Sequence, residues 1–160
     1  SGLSKVAGLP QLKLGWMVAA GDAALVEAAL ARVAMVADTY LSVGTPVQRA
    51  LPALLAHAPT LAARIAERTR ANLKLVRTAL AAPCAASVLD VEGGWYATLR
   101  LPRTRSEQEW ALALLDRGVL VHPGHFFDFE EEAYVVVSLL PRADDMARGL
   151  AVLRELVDAS

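Results

Sequence analysis

S-G-L-S-K-V-A-G-L-P-Q-L-K-L-G-W (Ser1–Trp16) opens the chain with a lysine behind a serine, a Gly/Pro-bearing turn, a second basic residue at Lys13, and Gly15 close behind. Composition sets these lysines apart. Of 16 basic residues only Lys5, Lys13 and Lys74 are lysine, and arginine serves everywhere else. Two of the three thus fall in one short stretch, and for Lys5 this points to a need for a primary amine rather than for positive charge alone. Lysine is the one side chain that supplies such an amine. Read as charges alone, lysines this near the first residue are solvated surface groups.

Outward from this stretch, Leu14 to Ala20 is an apolar run between Gly15 and Gly21 and reads as a buried strand. Asp22 is placed to cap a helix running to about Asp38, with Leu25, Val26, Leu30, Val33 and Val36 as its apolar face. Thr39 to Gly44 is loop. Thr45, Pro46 and Gln48 spell a capping box with proline at the first helical position, and Pro52 should limit or bend that helix. The longest helical pattern runs from Pro59 to about Ala82. Beyond it come a strand over Ser87–Val91, a turn at Glu92-Gly93-Gly94 and a strand over Trp95–Leu101. Ser106 and Glu109 form a second capping box for a helix ending at Gly118. Val119–Val121 reads as a short strand, Ala133–Leu140 as an apolar strand, and Ala143–Val157 as a final amphipathic helix. Strands with helices on one face make a small α+β layer.

The chain has 160 residues, 55% hydrophobic and 21% charged, with a net charge of −1. That composition is globular, and it offers no basic surface for nucleic acid. The acidic trio Glu130–Glu132 reads as a solvated loop. One cysteine, Cys84, excludes an internal disulfide and fits a reducing, cytoplasmic setting. No apolar run reaches the roughly 18 residues of a membrane span. His122 and His125 flank a Pro-Gly turn, with no third ligand near them in sequence, so no metal site is expected. Phe126, Phe127 and Phe129 read as packing residues, and Trp95 and Tyr96 as core and rim aromatics.

Four segments together resemble the class I/II (fold type I) pyridoxal-phosphate-dependent aminotransferases. They are the opening lysine stretch, D-T-Y-L-S-V-G-T-P-V-Q (Asp38–Gln48), V-E-G-G-W-Y-A-T-L (Val91–Leu99) and G-V-L-V-H-P-G-H-F-F (Gly118–Phe127). Each alone is weak, and their order and spacing carry the resemblance. It implies that Lys5 forms an imine with the aldehyde of pyridoxal 5'-phosphate and that Lys13, helped by Ser4, binds the cofactor phosphate. The implied fold is α/β and α+β, the C-terminal part of a larger enzyme that begins almost at its catalytic residue. Residues 1–74 would be the end of the large cofactor-binding domain with the linking helix. Residues 75–160 would be the small domain with a short, mainly antiparallel sheet. The implied substrates are an amino acid and a 2-oxo acid, exchanged in a cytoplasmic homodimer whose interface lies near Thr39–Thr45, with neither nucleic acid nor membrane as partner.

The chain departs from that family at three positions. Lys13 stands where most relatives carry arginine, and Gly2 where many carry a phosphate-binding serine. Val136 stands where an arginine usually grips the substrate α-carboxylate, although Ser138 two residues on is kept. Arg100, on the neighbouring expected strand, is the nearest replacement by sequence; its plainer reading is a solvated strand-end arginine. A carbon–sulfur lyase or decarboxylase on the same fold would share Lys5 and tolerate the loss at Val136 better. An effector-sensing, aminotransferase-like domain of a transcription regulator, or a structural piece without activity of its own, would also carry these segments.

Overall fold

The computed structural model describes residues 1–81, 83–130 and 133–160. Ala82 and two of the acidic trio, Glu131 and Glu132, lie outside the described residues. The chain divides into two compact units, Ser1–Ile65 and Ala66–Ser160. The division falls within a long helix, upstream of the boundary near Lys74 that the sequence suggests.

In the first unit, α1 (Leu3–Val6) and a 3-10 turn (Pro10–Leu12) are followed by α2 (Ala23–Asp38) and the beginning of α3 (Thr45–Ala79). Leu3, Ala7, Leu14 and Ala58 form its buried cluster, with Trp16, Val47, Leu51 and Leu54 packed around them. Asp22 caps α2, its Oδ1 accepting from the amides of Ala24 and Leu25 at 3.1 Å. No residue of α2 is buried, and Leu25, Met35 and Val36 stand open.

Three expectations for this unit are corrected. Leu14–Ala20 is not a strand: Gly15 alone makes an isolated antiparallel bridge, to Gly2, and Met17 and Val18 are exposed. A strand needs a neighbour for its backbone groups, and among the described residues none runs beside Met17–Ala20. Pro52 does not end a helix, because both it and Pro59 lie inside a continuous α3. Each proline removes a single bond, to the carbonyls of Gln48 and Leu55, and the turns on either side keep theirs. Seven residues apart, the two also fall on nearly the same side of the helix, about two turns from each other. Finally, α3 already begins at Thr45, so no Thr-x-x-Gln box forms there. Gln48 instead donates from Nε2 to the Val43 carbonyl at 2.9 Å.

In the second unit, β1 (Ser87–Val88), β2 (Tyr96–Arg100), β3 (His122–Pro123) and β4 (Tyr134–Ser138) form an antiparallel sheet in the order β1-β2-β4-β3. The strand expected at Val119–Val121 is displaced to His122–Pro123, because those two residues are the ones paired to β4. One face of the sheet carries Ala97, Leu99 and Val135 into a core with Trp110 and Leu114 of α4 (Glu107–Leu115), and with Leu150 and Leu153 of α5 (Ala143–Asp158). The capping box is present: Ser106 Oγ accepts from the Glu109 amide, and the Glu109 carboxylate accepts from the Ser106 amide at 2.8 Å. Buried Trp110 donates from Nε1 to the Pro102 carbonyl at 3.0 Å. Asn72 of α3, 1% exposed, donates from Nδ2 to the carbonyls of Leu139 (2.9 Å) and Pro141 (2.8 Å). It thereby fixes the chain where β4 leaves the sheet. Arg154 of α5 closes the end of α3, donating to the Ala79 carbonyl at 3.0 Å and pairing with Asp158. Cys84 is half-buried against this core.

Candidate functional site

The opening stretch folds into a closed loop. Gly2 bridges Gly15, the Leu3 amide donates to the Leu14 carbonyl at 3.0 Å, and the Trp16 amide donates to the Ser1 carbonyl at 2.8 Å. The closure depends on glycine. A Cβ on Gly2 would lie 2.9 Å from the Leu14 carbonyl oxygen and 3.1 Å from the Gly15 Cα. The departure from serine at this position therefore has a structural cause: two backbones pass too close for any side chain. Gly8 answers a similar need, since it adopts φ +64° and a Cβ there would meet Ile65 Cδ1 at 2.5 Å.

Within this loop Leu3 and Ala7 are buried one helical turn apart. At about 100° per residue, Lys5 lies midway between them on the opposite side of the turn, and its side chain is exposed. Ser4 is half-buried beside it. Lys13 ends the 3-10 turn in the left-handed conformation (φ 51°, ψ 36°) and is exposed between half-buried Leu12 and buried Leu14. The loop thus turns its leucines inward and both amines outward. Nearby, the loop Thr39–Gly44 borders a groove of about 860 Å³ whose lining includes Trp16, Tyr40, Leu41 and Val43. Tyr40 and Leu41 are almost wholly open.

In the second unit, pairing sorts the remaining candidates by face. Directly opposed residues of antiparallel strands share a face. Thr98 of β2, Val136 of β4 and His122 of β3 therefore make one rung, and Arg100 opposite Tyr134 makes a neighbouring rung of the same face. Arg100 is exposed. Val136 is buried.

Four aromatic side chains gather on this face. Phe127 lies 6.3 Å from Tyr96 and 6.1 Å from His122, ring centre to ring centre, and Phe126 lies 6.1 Å from His122. Phe126 and Phe127 are exposed, so they are not the packing residues expected; Phe129 is half-buried and stacks on Tyr134 at 4.9 Å. A short 3-10 turn, Gly124–Phe127, carries them. The turn is tied down by buried Glu107, whose Oε1 accepts from the His125 amide at 2.8 Å and meets His125 Nδ1 at 2.7 Å. No group of three or more His, Cys, Asp or Glu is placed to hold a metal among the described residues. None of their helices is long and apolar enough to cross a membrane. The gathering of rings around His122 is not legible in the sequence, although H-P-G-H-F-F shows aromatics massed within a few residues of a displaced strand.

No family model and no curated protein matches the sequence significantly. Solved structures do match. Aspartate aminotransferase of Thermotoga maritima superposes with a TM-score of 0.74 at 17% identity, over 98% of this chain and 39% of that one. An aminotransferase of Escherichia coli gives 0.74 at 21% identity, over 98% and 41%. A probable N-succinyldiaminopimelate aminotransferase of Thermus thermophilus gives 0.65 at 24%, over 82% and 34%. The chain spans less than half the length of each of these proteins, and its fold is that of the matching part of them.

Proposed function

We propose that this chain is the C-terminal part of a pyridoxal-phosphate-dependent aminotransferase, acting between an amino acid and a 2-oxo acid. The observation that carries this reading is the pinned loop, which places Lys5 opposite buried Leu3 and Ala7 and leaves its amine outside the apolar cluster. Bound pyridoxal phosphate would supply the electron sink for the bond broken at the substrate Cα. The chain's own residues would do the rest. Lys5 would hold the cofactor through its amine and then carry the proton taken from the substrate Cα. Lys13, with Ser4, would hold the phosphate as a point charge rather than a bidentate fork. Arg100 would meet the substrate carboxylate in place of the arginine absent at Val136. The small domain would begin near residue 75.

A homodimer in the cytoplasm completes the proposal, supported by the open Tyr40 and Leu41 in the loop that resembles an interface segment. A second reading, a carbon–sulfur lyase or decarboxylase, is favoured by one observation, the apolar and buried Val136. An effector-binding domain of a transcription regulator would keep the cofactor-like loop without turnover. Borohydride reduction of the full-length protein loaded with pyridoxal phosphate tests the shared premise. The expected result is a protein that is yellow before reduction, loses the colour on reduction and then carries a stable label on Lys5. Label on Lys74 instead, or no chromophore, would overturn the assignment.

A further inference from the structure

Val136 lies on the open face of the sheet, yet it is only 3% exposed. The Phe127 ring is placed to help cover it. It sits almost equally far from Tyr96 on β2 (6.3 Å) and His122 on β3 (6.1 Å), the strands on either side of β4. Strands so placed are roughly 9.6 Å apart, two spacings of ~4.8 Å, so a ring within reach of both lies over the strand between them. A ring therefore stands above the position where the resemblance would put a charged fork. The residues Tyr96, Phe126 and Phe127 are nevertheless 44%, 65% and 46% exposed. That is a contiguous apolar patch on a sheet face which otherwise carries polar groups.

The same face has a second, oppositely natured end. Arg100 stands two residues along β2 from Thr98, one rung beyond Val136 and on the side away from Tyr96. Two residues of strand span about 7 Å. Arg100 thus starts about 7 Å along β2 from the Val136 rung and about 14 Å from Tyr96, and its exposed side chain can bring a cation to an α-amino or 2-oxo acid carboxylate whose planar apolar side chain lies at the rings. A carboxylate against the rings would lose its water with no donor fork to replace it.

We infer that the rings of Tyr96, Phe126, Phe127 and His122 form the side-chain subsite of this protein and select an aromatic substrate, with Phe127 the residue that sets the preference. The inference rests on the amino-acid reading given above, but it can be tested without the cofactor, because every group it uses lies in the second unit. The full chain, labelled on its histidine rings, is titrated with 3-phenylpropionate, succinate and agmatine while the His122 ring signals are followed. The expected result is saturable movement of the His122 signals with 3-phenylpropionate, at least tenfold weaker in Phe127→Ala and partly restored in Phe127→Leu. His122→Gln, observed through tryptophan fluorescence, should keep the preference for the aromatic probe. Tighter binding of succinate or agmatine, or the same affinity in Phe127→Ala, overturns the proposal. A protein that takes no label at Lys5 yet binds 3-phenylpropionate through Phe127 defeats the cofactor reading and leaves the subsite standing. A labelled Lys5 with succinate preferred does the reverse.

Discussion

Replacing Gly2 with alanine adds one carbon where two backbones cross. Its φ of −176° is ordinary extended geometry, so the substitution brings no backbone strain and acts through contact alone. The new Cβ would sit 2.9 Å from the Leu14 carbonyl oxygen. Relief to ordinary contact near ~3.5 Å requires a retreat of about 0.6 Å, and the atoms that must move are backbone. The Leu3 amide bond to that same oxygen is already 3.0 Å long, so the retreat stretches or breaks it. Overpacking of this kind costs about 1–3 kcal/mol, equivalent to roughly 5- to 150-fold in a local opening equilibrium. Hydrogen exchange at the Leu3 and Trp16 amides reads that opening directly. Gly93→Ala is the control, since nothing lies near its Cβ and its φ is not positive. Exchange at Leu3 unchanged within twofold in Gly2→Ala would refute the argument that glycine here serves loop closure. If the argument holds, Gly2→Ser opens the loop in the same way, because no side chain can be seated there without displacing the Leu14 carbonyl.

Asn72→Ala leaves the Leu139 and Pro141 carbonyls without their donor and should cost about 2–4 kcal/mol in urea unfolding; a loss under ~0.5 kcal/mol would show that water replaces the amide freely. Glu109 is held below the usual carboxylate range by the backbone amide and then the hydroxyl of Ser106. A depressed folded-state value stabilises above the unfolded glutamate value of ~4.3 and is lost as pH falls through the folded one. The stability gap between the protein and Glu109→Gln should therefore be present at pH 7 and close in acid; a gap independent of pH would contradict it. Arg100→Ala in the cofactor-loaded full-length protein should raise KM for amino acids by about 10- to 100-fold, with cofactor absorbance unchanged, as loss of a charge-assisted contact demands. An unchanged KM would remove Arg100 from the substrate site.

What could be read from the chain beforehand follows a physical divide. The Asp22 cap, the Ser106–Glu109 box and α5, with Met146, Leu150, Leu153 and Val157 buried at helical spacing, are local signals and appear as expected. Elements that depend on partners do not follow from local pattern. Met17–Ala20 is apolar enough for a strand but has no neighbour to pair with among the described residues, and β3 settles on His122–Pro123 because β4 offers its register there. The prolines of α3 mislead because a helix tolerates the loss of one bond when both flanking turns are intact. The lysine loop was visible as residue types, and its closure by Gly2 against Gly15 was not. The ring patch needed the sheet order, since Tyr96 and His122 are brought near Phe127 only by the two strands that flank β4.

Because no side chain of α2 is buried, that helix is an internal gauge. A 16-residue helix with no buried residue draws little from packing and stands close to its own helix–coil balance, with the Asp22 cap as a local support. Its amide protection should therefore be low and should answer to whatever touches it. Any surface that comes to rest on Leu25, Met35 or Val36 would raise protection along α2 as a step, while Trp110 and Leu114 in the packed α4 keep theirs. The degree of that step measures how much of the molecule around α2 has been assembled, with no added label and no need of catalysis.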